Sequence, residues 1–425
     1  MKTDFRRLAL AILALPFLSA CGSPRTSTST FEKPSASCAD AAMAKQFLVK
    51  RFDGGVEVVR ANSAEEFVNG YLSTNLKDIA YAEHDFRVKV ATGDFQALAA
   101  ETGYADNWGP ARIEASTLWS QEVRGEGVLV AVIDTGVDLT HPQLAAQIYV
   151  SPGESGLDSK GHNKSSNGID DDGNGFIDDV NGYDFVHSAP LSGDDYGHGT
   201  HVAGIIAAAH SDSVASGGSH VQGVAPKARI LGLKFLDADG GGSLSDGVRA
   251  IKYAAAAGAN VINASWGGPE CSRTMRDEIE ALATKNIAII VAAGNSHKDL
   301  DFSPEYPAAL GLDSQITVGA VGDHDEMARY SNYGAKAVHI FAPGSNIVST
   351  WPGGRMAFSS GTSMAAPFVT GAVALLRGAV PEATVAQIRA ALYNSAAHST
   401  SYISVSQGRM NLATALSELH QVVGH

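Results

Sequence analysis

The chain has 425 residues, 44% of them hydrophobic and 18% charged, with 45 glycines and a formal net charge of -14. That length allows about two to four domains of roughly 100 to 200 residues each, and that hydrophobic content excludes a disordered chain. An acidic balance without clustered Lys and Arg argues against a nucleic-acid partner.

In chain order, Lys2, Arg6 and Arg7 precede the apolar run Leu8 to Leu18. Residues 1–20 therefore read as an export signal, too short to span a membrane. Leu18-Ser19-Ala20-Cys21 resembles a bacterial lipobox, which implies a thioether-linked lipid anchor on Cys21; ordinary secretion with an incidental cysteine is the alternative. Residues 21–44 would form the lipidated tether, its Ser, Thr and Pro keeping it solvated. The remaining cysteines, Cys38 and Cys271, fit an oxidising compartment and leave open a bridge between them or two unpaired thiols.

Residues 45–92 read as a small α+β unit, with strands over Gln46 to Phe52, Gly55 to Ala61 and Ile79 to Val90 and an amphipathic helix over Ser63 to Leu72. A linker over 93–107 leads to a domain over 108–425. There the apolar runs Val128 to Ile133, Ile230 to Leu236, Val261 to Ser265, Ile287 to Ala292 and Ile316 to Val321 alternate with helical segments. Continuous apolar strands of this kind belong to a parallel sheet covered on both faces, so the fold class is α/β, doubly wound and mainly parallel.

Three motifs carry chemistry. Asp134 follows a buried strand, at the sheet edge where open α/β folds put their sites. His198 stands in Gly197-His198-Gly199-Thr200-His201 before a small-residue helix, and Ser363 in Gly361-Thr362-Ser363-Met364-Ala365-Ala366-Pro367 at a helix start. A serine hydroxyl becomes a nucleophile only beside a base, and the base needs a carboxylate to hold its tautomer. The Ser363 segment lacks the final glycine of Gly-x-Ser-x-Gly, which excludes the α/β-hydrolase order.

These segments, with Ile287 to Asn295 and Ala342-Pro343-Gly344, resemble the subtilisin-like (subtilase) family of serine endopeptidases from Trp108 to Ala391. The resemblance implies a triad of Asp134, His198 and Ser363, with Asn295 donating to the oxyanion and His201 only packing. It implies substrate walls at Ser265, Trp266 and Gly267 and at Ala292, Ala293 and Gly294, with Gly240 and Gly241 on the edge that pairs with an extended polypeptide substrate. Trp266 replaces a smaller family residue and is expected to alter the apolar wall. The unit over 45–92, above all Ile79-Ala80-Tyr81-Ala82-Glu83-His84-Asp85, resembles the subtilase propeptide, shorter by one helix. A self-processing cut is expected between Val90 and Trp108.

The run Asp170 to Asp179 spaces oxygen ligands as an EF-hand loop does: Asp170, Asp172, Asn174, the carbonyl of Phe176 and Asp178, with Asp179 supplying further charge and Gly175 at the turn. Structural calcium is the expected cofactor. Gln143 stands where the family's other calcium site commonly has Asp.

Overall fold

The computed structural model describes residues 42–91, 96–97, 107–210 and 221–424. The export signal, Cys21, Cys38, the first part of the tether and nearly all of the 93–107 linker lie outside the described residues. Cys271 is disulfide-bonded, and its partner also lies outside them.

The strands Leu129–Asp134, Val261–Ala264 and Ala288–Ala292 are buried along their length, apart from Leu129, which is half-buried. They lie side by side in parallel, Val130 opposite Val261 and Val261 opposite Ala288. Around them runs a ten-stranded sheet: Ala397–His398, Gly408–Arg409, Ile340–Pro343, Gln315–Val321, Ala288–Ala292, Val261–Ala264, Leu129–Asp134, Arg229–Lys234, Gly182–Asp184, Ala189–Pro190. Only the outermost strand at each end is antiparallel to its neighbour. The apolar runs of the sequence become the sheet because both of its faces are covered. His198–Ala207 and Thr362–Ala379 pack on one face, and Leu244–Ala256 and Arg273–Thr284 on the other.

The unit at the N-terminal side has strands Ala42–Arg51, Val56–Arg60 and Ile79–Val90, all antiparallel, and a helical stretch over 64–75 that Ser63 caps through the Glu66 N–H. The sequence reading places the helix end at Leu72, one turn early. Phe47, Val49, Phe67, Leu72 and Ile79 fill its core, with the rings of Phe47 and Phe67 stacked 4.1 Å apart.

This unit docks through the strand Ile79–Val90. Period-two alternation puts Glu83 and Asp85 on one face, and each meets a helix N-terminus of the large domain. Glu83 accepts from the Ser272 hydroxyl at 2.6 Å and from the N–H groups of Arg273 and Thr274 at 3.0 Å. Asp85, fully buried, accepts from the Ser245 N–H at 3.0 Å and its hydroxyl at 2.6 Å. Both carboxylates thus satisfy orphan donors at the positive ends of helix dipoles. Lys50 adds an ion pair to Glu278 at 2.5 Å. Among the described residues no helix is long and apolar enough to cross a membrane.

Candidate active site

Asp134 is the last residue of its strand. Its Oδ1 accepts from the Thr135 N–H at 2.7 Å and lies 2.6 Å from His198 Nδ1. His198 opens the helix His198–Ala207, and two features hold that helix against the strand end. Asp194 accepts from the Gly197 and Thr200 N–H groups at 2.7 and 2.9 Å and from the Thr135 hydroxyl at 2.9 Å, so it caps the helix and ties it to the strand. Gly199 allows the contact: a Cβ there would lie 2.0 Å from the Gly136 carbonyl. An imidazole whose Nδ1–H is held by a carboxylate presents Nε2 as a proton acceptor.

Ser363 is the second residue of the helix Thr362–Ala379, where the helix dipole favours negative charge. Its Oγ lies 2.5 Å from the carbonyl oxygen of Ala91 and 3.0 Å from that of Ser265. Asn295 Nδ2 donates to the same Ala91 oxygen at 2.6 Å. The amide cannot turn freely, because its Oδ1 accepts from both the N–H and the hydroxyl of Thr362 at 2.9 Å. Thr362 lies inside the serine motif and Asp194 three residues before the histidine motif, but only their tertiary contacts reveal what they hold.

Ala91 arrives at the end of an extended strand. Val88 pairs with Gly242 and Lys89 with Gly241 on one side, while Lys89 pairs with Gly267 and Val90 with Trp266 on the other. The Val90 N–H also donates to the Gly240 carbonyl at 3.0 Å and the Ala91 N–H to that of Ser265 at 3.2 Å. Past it, Gln96–Ala97 pairs with Ala357 and Phe358. The Ala91 side borders a cavity of about 220 Å³, walled by Gly267, Gly268 and Pro269 on one side and by Ala292, Ala293 and Gly294 on the other. The expectation for Trp266 needs correction. Its indole points into the core, donating to the Ile133 carbonyl at 2.9 Å and packing on Phe235, so only its backbone serves the cleft.

His201 is buried with Nε2 3.0 Å from the Ala357 carbonyl, and burial pushes its pKa down to about 3, leaving a neutral ring.

The acidic loop closes differently from an EF-hand. Asp170 and Asp172 come together with Glu154, which the sequence reading missed, their oxygens all within 4.8 Å. Asn174 turns to Asp179, which also accepts from the Tyr253 hydroxyl, and Asp178 accepts from the Gly168 N–H. The Phe176 ring packs edge-on against Tyr183 and Tyr253. Glu154 is fully buried, accepts from the Asp171 and Asp172 N–H groups through Oε1, and has no partner for Oε2 among the described residues. An isolated Glu sixteen residues upstream carries no local signal.

A profile of the Subtilase family (Peptidase S8) matches residues 125–418. The thermophilic serine proteinase of Bacillus sp. (strain AK1) is 37% identical over 269 residues, 63% of this chain and 57% of that protein. Subtilisin BL of Lederbergia lenta is 35% identical over 289 residues, 68% of this chain and 90% of that protein. Subtilisin E of Bacillus subtilis (strain 168) is 32% identical over 355 residues, 82% of this chain and 81% of that protein. A doubly wound sheet, an Asp-His contact at its edge and a serine at a helix start are thus joined to similarity across most of the chain, which belongs to the subtilase family of serine endopeptidases.

Proposed function

We propose that peptide-bond hydrolysis runs through Asp134, His198, Ser363 and Asn295, and that the first bond cut is Ala91–Thr92 of the chain itself. The observation that carries this reading is the Ala91 carbonyl, held between Asn295 Nδ2 and Ser363 Oγ at the end of a strand paired on both edges. His198 takes the hydroxyl proton as Oγ bonds to the Ala91 carbonyl carbon. Asn295 donates to the oxygen that becomes negative, and Asp134 stabilises the imidazolium. The C–N bond then breaks as His198 returns the proton to the departing Thr92 nitrogen. Water, deprotonated by His198, releases the acyl group from Ser363. Substrates in trans would add a strand between Gly240-Gly241 and Ser265-Trp266-Gly267 as residues 87–91 do.

On this reading residues 45–91 are a propeptide that inhibits by filling the cleft, and 92–107 stay with the mature enzyme. The match to subtilisin E, long enough to reach upstream of residue 108, supports it. The test is expression of wild type and Ser363→Ala with N-terminal sequencing. Wild type should yield a product starting at Thr92 and Ser363→Ala only the intact precursor, with loss of fluorophosphonate labelling. Processing of purified Ser363→Ala would refute the assignment.

Calcium is the proposed structural cation, held by Glu154, Asp170 and Asp172. A buried carboxylate oxygen without a donor among the described residues, facing two more carboxylates, fits a hard cation with oxygen ligands. Asn174, Asp178 and Asp179 support the loop instead of coordinating. Gln143 donates to the Ala209 and Val221 carbonyls through Nε2, so an amide satisfies oxygens there and no second cation is proposed. Export, with the precursor anchored through Cys21, is the proposed location; cutting after Ala91 would separate the enzyme from that lipid unless the Cys271 disulfide holds it.

A further inference from the structure

The cavity beside Ala91 is far larger than a methyl group requires, and its floor is charged. Glu305 lines it together with Tyr306 and Asn295. The carboxylate sits directly behind Gly294, where a Cβ would lie 2.5 Å from Glu305 Oε2. Gly294 adopts φ +99°, open to glycine, so the backbone itself admits the acid to the pocket.

The orientation of Glu305 is built. The Asn332 side chain, fully buried, donates through Nδ2 to Glu305 Oε2 at 2.9 Å and to the Ala293 carbonyl at 2.8 Å. Its Oδ1 accepts from the N–H groups of Ser296 and Lys298 at 3.1 and 2.9 Å. The amide is thereby locked, and it fixes one carboxylate oxygen at the pocket floor. The other oxygen pairs with Lys298 Nζ at 2.7 Å, whose side chain is 44% exposed while that of Glu305 is 19% exposed. An ion pair with so exposed a partner is weak and is screened by salt. Each oxygen keeps lone-pair capacity for a further donor.

We propose that Glu305 is a specificity-determining residue, and that the cavity takes the side chain of a Lys or Arg whose carbonyl is to be cut. A substrate cation entering beside Gly294 would meet the carboxylate away from bulk water, where a charge-assisted hydrogen bond is stronger than at the surface. An acidic side chain would meet a like charge, and an apolar one would cover the carboxylate without pairing it, losing its hydration. Ala91 escapes this requirement because it is part of the same chain: tethering raises its local concentration and makes a filled pocket unnecessary. The processed propeptide therefore leaves this pocket empty, the place where a basic substrate has an advantage over it.

This inference rests on the endopeptidase reading, and the experiment separates the two. Mature enzyme is assayed with peptide p-nitroanilides carrying Arg-Val-Lys-Val, the sequence of residues 87–90, followed by Ala, Met, Lys, Arg or Glu at the cleaved position. The kcat/KM ratio of Lys to Met is expected to be at least about tenfold, equivalent to roughly 1.4 kcal/mol, with Glu the poorest. Glu305→Gln should bring that ratio close to one. A wild-type ratio at or below one, a test that needs no variant, would overturn the assignment, as would a ratio that Glu305→Gln leaves unchanged. Absence of hydrolysis of every peptide, together with absence of serine labelling, would instead overturn the endopeptidase reading.

Discussion

The two folded regions of this chain are stabilised by different means. The large domain closes its own core: strands such as Leu129–Asp134 and Ala288–Ala292 are covered on both faces by its own helices. The unit over 42–91 has a core of a few side chains around Phe47 and Phe67, and about fifty residues bury too small a fraction of their surface for much stability alone. It borrows the rest from its partner, through a strand paired on both edges and two carboxylates on helix ends. The proposed release of this unit after cutting suits that arrangement.

Loss of chemistry should leave the two regions together and is the largest effect expected. Asn295→Ala should lower kcat by about 10²- to 10³-fold with little change in KM, because the donor acts on the oxyanion. Steady-state kinetics on a peptide substrate check this, and a pure KM effect would move Asn295 to a binding role.

The comparison is sharpened by the double substitution Glu83→Gln and Asp85→Asn, which touches only the borrowed contacts. A carboxylate charge at a partly buried helix N-terminus is worth about 0.7 to 2 kcal/mol, and Gln and Asn remove that charge while keeping an acceptor. The propeptide, added in trans to mature enzyme, should therefore inhibit on the order of 10- to 1000-fold more weakly, while the melting temperature of the mature domain stays as it was. An unchanged inhibition constant would mean that strand pairing alone carries docking.

Two further measurements address the large domain alone. Chelation should lower its melting temperature and speed autolysis, because a cation bound only by the folded state stabilises by mass action. Glu154→Gln should abolish the response to added calcium. Equal melting curves with calcium and with chelator would leave the loop a solvated acidic insertion.

The smallest effect concerns acid. His339 is buried, its Nδ1 accepts from the Thr317 N–H at 2.7 Å, and burial pushes its pKa down to about 4. The unfolded chain takes up that proton near pH 6.5 and the folded one only near 4. This residue's contribution is therefore fully present above pH 6.5 and is lost as pH falls from there through about 4, by up to about 3 kcal/mol. His339→Gln should flatten the decline of melting temperature between pH 6.5 and 4; an identical slope in the variant would remove His339 from the account.

Much of this was legible along the chain. Asp134 at the end of a buried strand, His198 and Ser363 at helix starts and Asn295 after the strand Ala288–Ala292 each stand in a local pattern of small and apolar residues. Period and spacing are properties of neighbouring residues, so such patterns survive reading without coordinates. Most strand limits shifted by one or two residues, as Val128 to Ile133 became Leu129–Asp134, while the first strand starts four residues earlier, at Ala42 instead of Gln46.

What the tertiary structure decided are the contacts between distant segments. Ala91 meets Ser363 across 272 positions and Asp85 meets Ser245 across 160. Glu154 joins Asp170, Trp266 turns to the core instead of the cleft, and Glu305 lies under Gly294. Each of these depends on how helices and loops pack around the sheet, and a single Glu or Ala carries no periodic signal of where packing will take it. Local spacing determined which groups could do the chemistry, and only packing determined which bond, cation and side chain they face, because burial and charge pairing are set by neighbours in space.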